Sequence, residues 1–172
     1  VTPASNPFFD IETIRFYTGD YNAVNEENKE YLKQINRHET QYLYAEFKLR
    51  NKLDIDWNCE VYFNWYNASG LLKARIERFR KIEGGKKGEI ITFNEGWGND
   101  IPGTWKDSSY RLEIIFMDTV IAVLHLATGD MDEEGEVEYS TAAGQNMVAV
   151  QYAAAAPDES LDASVKKLDE LT

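Results

Sequence analysis

A single cysteine, Cys59, leaves the chain without a partner for an internal disulfide. That excludes the stapled scaffold of a small secreted domain and fits a reducing, cytoplasmic setting. Histidine is nearly as scarce: His38 and His125 stand far apart, with no Cys or acidic neighbour at metal-ligand spacing, so the pattern contains no metal centre. No apolar run approaches the roughly 20 residues that a membrane helix requires. The opening VTPASNPFFD has neither the basic nor the apolar region of a signal peptide. It also lacks an initiator Met, which reads as a piece excised from a longer chain. Positive charge is in deficit, since 18 Lys and Arg against 30 Asp and Glu give a net charge of −12. Such a field repels phosphate backbones and argues against nucleic acid as a partner.

What the chain has is aromatic and alternating. Aromatic residues make up 13% of its 172 positions, a load that packs well on a pleated, half-buried surface. In 8–17, Phe9, Ile11, Thr13, Arg15 and Tyr17 alternate against Phe8, Ile14 and Phe16 at the period of a strand. The segment 19–40 is polar, and Tyr31, Leu32 and Ile35 are its only helix-like apolar spacing, so it reads as a long loop with one helical turn. Alternation returns at Leu43, Ala45, Phe47 and Leu49, and again at Cys59, Val61, Phe63 and Trp65. A turn at 67–70 leads into a strand over 72–82, and a short strand follows at 89–93. The segment 94–107 reads as a Gly-, Pro- and Trp-rich loop capping the core, before a last hairpin built from 110–116 and 120–126.

About seven strands joined by short turns predict an all-β fold, an immunoglobulin-like antiparallel two-sheet sandwich with Trp65 or Trp57 buried on a central strand. The domain is expected over 1–129. An acidic and Ala-rich linker then covers 130–157, and a short amphipathic helix leads out over 158–172, with Leu161, Val165, Leu168 and Leu171 on one face.

Two patterns invite chemistry and fail their own tests. Asp130, Asp132, Glu134 and Gly135 open like an EF-hand loop, but position twelve is Thr141 instead of the bidentate Glu. Gly84, Gly85, Lys86, Lys87 and Gly88 lack the spacing and the Ser or Thr of a Walker loop, and read as a soluble hairpin turn. No G-x-S-x-G nucleophile elbow is present. These readings give no catalytic, cofactor-binding or metal-ligating residue, and the chain is expected not to be an enzyme.

One candidate interaction surface remains. Lys73, Arg75, Arg78, Arg80, Lys81, Lys86 and Lys87 concentrate positive charge in one hairpin of an acidic chain, suited to orienting an acidic partner or to protecting a sheet edge. Trp97 and Trp105 supply rings that either lid the core or stack on sugar faces.

The closing segment LDASVKKLDELT, with its Leu-Asp-x-Leu stretch at 168–171, resembles the lead-in before the ATPase core of AAA+ proteins of the CbxX/CfqX type. The resemblance implies an N-terminal accessory domain of a larger ATPase, a protein-interaction or regulatory module that docks a protein partner or neighbouring subunit. Nucleotide would enter only through an ATPase domain beyond Thr172. The alternative expectation is a carbohydrate-binding β-sandwich that uses Trp97 and Trp105.

Overall fold

A computed structural model describes residues 6–141, and the Ala-rich stretch and closing helix expected further on lie outside them. The strands are β1 (Phe9–Gly19), β2 (Leu32–Asn36), β3 (Tyr42–Asn51), β4 (Trp57–Asn67), β5 (Leu72–Ile82), β6 (Ile90–Gly98), β7 (Ser109–Phe116), β8 (Thr119–Gly129) and β9 (Glu133–Glu134), with one 3-10 turn at Ala23–Asn25. They form one sheet in the order β5-β4-β7-β8-β2-β1-β3-β6, with β9 paired to β2. The sheet curls through 291° into a nearly closed barrel. The expected two-sheet, immunoglobulin-like sandwich is therefore corrected.

The joint responsible is β2. It lies parallel to β8, pairing Gln34, Ile35 and Asn36 with Ala127, Thr128 and Gly129, and meets β1 at Phe16 and Leu32. Its spacing looked helical because only Leu32 and Ile35 are buried. The acidic run also enters the sheet, since Glu134 and Glu133 pair with Leu32 and Gln34, and Ser140 bridges to Val123.

Side chains of alternate residues fill the barrel. Leu43, Ala45, Phe47 and Leu49 of β3 face Cys59, Val61, Phe63 and Trp65 of β4, all fully buried. In β1 the parity of the apolar residues changes between Ile11 and Ile14, and a β-bulge at Ile11/Thr13 absorbs the extra residue. The bulge keeps Phe9, Ile14 and Phe16 buried together instead of turning one set to solvent. Phe47 packs against Phe63 at 6.2 Å and stacks on Phe93 at 5.9 Å, and Phe16 meets Trp65 at 5.8 Å.

The outer face of β1 and β3 carries a second, polar packing layer. Tyr17 and Tyr44 stack at 4.9 Å, and their hydroxyls donate to Asn94 Oδ1 and the Asp20 carbonyl. Beside them Glu46 accepts from Arg15 Nη2 and from the Tyr31 hydroxyl, each at 2.8 Å.

Candidate functional site at the barrel seam

The strands β5 and β6 end the hydrogen-bonded path, so the barrel has a seam between them. Register decides what fills it. Arg78 pairs with Val61 and Arg80 with Cys59, so both arginines share the inward side of the sheet with those buried residues. Arg78 Nε reaches Glu95 Oε2 at 2.6 Å, and Arg80 Nη1 donates to the Thr92 carbonyl at 2.8 Å. Its guanidinium also lies over the Phe93 ring, 4.7 Å from the centroid. Inward charge on an edge strand bridges the seam while discouraging the pairing of a foreign strand.

Two cavities flank the seam at opposite ends. One, of about 290 Å³, lies where β5 begins and β6 ends, and is walled by Trp97, Trp105 and Tyr110. The other, a groove of about 410 Å³, lies where β5 ends and β6 begins, and includes Arg80, Lys81, Lys86, Ile82 and Ile90.

The aromatic pocket is built by edge-to-face contacts. Trp97 and Trp105 meet at 4.5 Å and Trp105 and Tyr110 at 5.0 Å, a geometry that the ring quadrupoles favour. Trp105 Nε1 donates to the Gln41 carbonyl, whereas Trp97 Nε1 has no acceptor among the described residues. Around the rings stand Asn67, Asn99, Thr104, Lys106 and Asp107. Asn99 Oδ1 accepts from the Ile101 amide, and its Nδ2 reaches Thr104 Oγ1 at 3.4 Å, fixing that side of the rim. Trp97 belongs to β6 and not to a loop, because the strand continues through Gly96 and Gly98. A Cβ on Gly96 would overlap the Leu43 carbonyl oxygen and the Tyr44 ring. Glycine there lets the strand press against β3, although the same glycines make the segment look like a loop. At 7% and 2% exposed, Trp97 and Trp105 offer ring edges and no flat stacking platform.

The structure thus divides the residues singled out from the sequence. Lys73, Trp97 and Trp105 line the aromatic pocket. Arg80, Lys81 and Lys86 line the groove, with Lys86 3.8 Å from Glu89. Arg78 is held by Glu95, Arg75 sits over the Tyr62 ring at 4.8 Å, and Lys87 is exposed in the turn. The glycine turn is no anion cradle: the amides of Gly84 and Gly85 donate to the carboxylates of Asp56 and Asp54. Nor does the acidic run converge, since Asp130 faces Arg37 and His38 while Asp132 accepts from the Asn36 amide. Asn67, Asn99, Lys106 and Asp107 were missed by sequence reasoning. Their only signal was proximity to turns that flank the two tryptophans.

No protein family matches the chain, and no curated protein sequence does either. Solved structures similar to it include a Paenibacillus sp. cycloisomaltooligosaccharide glucanotransferase complexed with cycloisomaltoheptaose, at 16% identity and a TM-score of 0.43 over 71% of this chain and 14% of that one. A Bacteroides uniformis beta-glucuronidase is similar at 12% identity and a TM-score of 0.41, over 82% of this chain and 17% of that one. Bacteroides uniformis beta-glucuronidase 2, covalently bound to cyclophellitol-6-carboxylate aziridine, gives 13% and 0.42, with the same coverage. The chain spans less than a fifth of the length of these proteins.

The expectation of a non-enzymatic AAA+ accessory module with an ATPase partner is corrected: these similar structures are of a glucanotransferase and of beta-glucuronidases, not of an AAA+ protein. The physical reason for the error is that the likeness rested on a dozen residues at the far end of the chain, none of them in the described barrel.

Proposed function

We propose that the barrel binds carbohydrate in the pocket walled by Trp97, Trp105 and Tyr110. The observation that carries this reading is the lining itself: three ring edges beside a converging set of amide, hydroxyl, ammonium and carboxylate groups from Asn67, Asn99, Thr104, Lys106 and Asp107. A sugar presents apolar C–H patches next to hydroxyls that both donate and accept, which is the complement of that lining. The volume, about 290 Å³, sits at the small end of ligand pockets, near ~300 Å³, and suits a single sugar ring. An apolar ligand would leave the polar rim without partners. The unpaired Trp97 N–H adds a donor that costs about 1–3 kcal/mol when left buried and unmade. A sugar oxygen reached by a small tilt of the indole would satisfy it.

Recognition here works through ring edges and rim hydrogen bonds, not through stacking on an open tryptophan face. The test is a titration of neutral and acidic mono- and oligosaccharides followed by tryptophan fluorescence and calorimetry, with released reducing ends measured in the same mixtures to detect turnover. Saturable binding that weakens at least fivefold in Lys106→Ala or Asp107→Ala, and is unchanged in the distant Lys48→Ala, supports the reading. Silence across the whole panel would retire it.

A further inference from the structure

We infer that the groove at the opposite end of the seam is a second, separate site, and that it takes a small organic anion: a carboxylate or phosphate monoester carried on a short apolar body. The inference starts from Arg80. A flexible arginine on a strand edge ordinarily wanders in solvent or pairs with a nearby acid, but this one is fixed at two points. Its Nη1 donates to the Thr92 carbonyl at 2.8 Å, and its guanidinium plane rests against Phe93 at 4.7 Å from the ring centroid. No carboxylate among the described residues pairs with it, so its remaining N–H donors stay available. A guanidinium oriented in advance loses little freedom on binding an oxyanion, and its planar fork matches two oxygens at once.

The surroundings define the rest of the ligand. Lys81 and Lys86 add positive charge to the same groove, opposed by Glu83 and Glu89, and Lys86 is only loosely engaged at 3.8 Å from Glu89. Between these charges Ile82, Ile90 and Ile91 line the floor, with Ile90 itself 41% exposed. An inorganic ion would leave that apolar floor wet, whereas a neutral hydrocarbon would leave the guanidinium fork unused. An anion on an apolar tail satisfies both. The groove occurs where it does because the sheet stops short of closure, so β5 and β6 part beyond the Arg80 bridge instead of pairing.

The experiment is backbone amide NMR on the full chain at low salt, titrated separately with hexanoate, hexyl phosphate and hexanol. Saturable shifts confined to the amides around Arg80, Ile82 and Ile90–Thr92, with either anion and not with hexanol, are expected, and the tighter of the two anions identifies the head group. Arg80→Gln should weaken binding about tenfold, the scale of one charge-assisted contact. Arg80→Lys should recover only part of it because the fork is lost. Lys86→Gln, which leaves the seam bridge intact, should weaken binding severalfold and guards against a folding defect in the Arg80 variants. Equal shifts with hexanol, absence of saturation, or undiminished binding in both Arg80→Gln and Lys86→Gln would overturn the inference. Sugar binding at the tryptophan pocket is a separate readout and bears on neither result.

Discussion

Removing Arg15 should cost more than removing the ion pair it belongs to. The Glu46 side chain is 6% exposed, and its oxygens accept from Arg15 and Tyr31 at 2.8 Å, with Lys48 3.9 Å away. Burial works against its charge. The hydrogen bonds from Tyr31 and Arg15 and the charges of Arg15 and Lys48 outweigh that, holding the carboxyl below the usual carboxylate range. Deleting one partner of a buried pair costs about 3–5 kcal/mol, because the other charge is left stranded. Here Arg15 is 23% exposed while Tyr31 and Lys48 remain in place, so about 2–3 kcal/mol is expected for Arg15→Met. At this chain length that lowers Tm by about 4–12 °C. Met keeps the apolar stem but loses the cation over the Tyr31 ring, 3.8 Å from the centroid.

The double variant Arg15→Met with Glu46→Gln removes the stranded charge and should regain part of the loss at neutral pH. A depressed carboxyl pKa contributes stability above its unfolded value near ~4.3 and loses it as pH falls through the lower folded value. Arg15→Met raises the folded value, so protonation at low pH relieves the stranded carboxylate and the stability gap between variant and parent should narrow as pH falls. Urea melts from pH 3 to 7 on the parent, the two single variants Arg15→Met and Glu46→Gln, and the double variant measure all of this. If Arg15→Met lies within about 0.5 kcal/mol of the parent at neutral pH, or is no worse than the double variant, the argument from a stranded carboxylate is wrong.

Other outcomes follow from single features. Met117 and Asp118, between β7 and β8, have φ of 51° and 60°, a turn that favours Asn-Gly. Replacing them by Asn and Gly should raise stability by about 1 kcal/mol in a thermal melt. Gly96→Ala should lose about 2–3 kcal/mol in the same assay, since its Cβ meets β3 backbone. Burial pushes the Cys59 thiol up to about 12, against a smaller opposing pull from Arg80, so it should stay unmodified by a disulfide reagent at pH 8 until denaturant is added. Trp65→Ala, which empties a fully buried site between Phe16 and Trp97, should cost about 3–5 kcal/mol or prevent folding, read by urea melt.

Which side chains enter the core was legible in the sequence wherever alternation was unbroken. Residues 43–49 and 59–65 show this for the inward face, but the same alternation put Tyr42, Tyr44 and Glu46 in solvent, and all three are buried under the outer layer. It failed where a residue type had two readings. Gly96 and Gly98 looked like loop residues, yet they are what lets β6 continue against β3 and carry Trp97 to the pocket wall. The parity change in β1 was visible as Phe8, Ile14 and Phe16 opposing Phe9 and Ile11, and it is the trace of the bulge at Ile11/Thr13. The pocket rim was not legible, because Asn67, Asn99 and Lys106 come from separate turns whose meeting depends on how the sheet closes. Cation clustering in the 73–87 hairpin was plain, but it could not separate the arginines that bridge the seam from the lysines at its groove.

The difference between the expected sandwich and the barrel reduces to five residues. Delete β2 from the strand order and two stacks remain, β5-β4-β7-β8 and β1-β3-β6, which are the seven strands that alternation predicted. Packed face to face, those stacks would bury the same inward side chains that the barrel buries, so no pattern of apolar residues distinguishes the two arrangements. Leu32 and Ile35 decide between them by placing β2 parallel to β8 and against β1, which joins the stacks along one side only. The opposite side, between β5 and β6, has no such strand and is held instead by Arg78 and Arg80. Both cavities lie along that unjoined side, one at each end. The two proposed sites thus lie along the side bridged by two guanidinium groups, whereas a smaller cavity of about 200 Å³ sits beside β1 and β2 on the side joined by backbone.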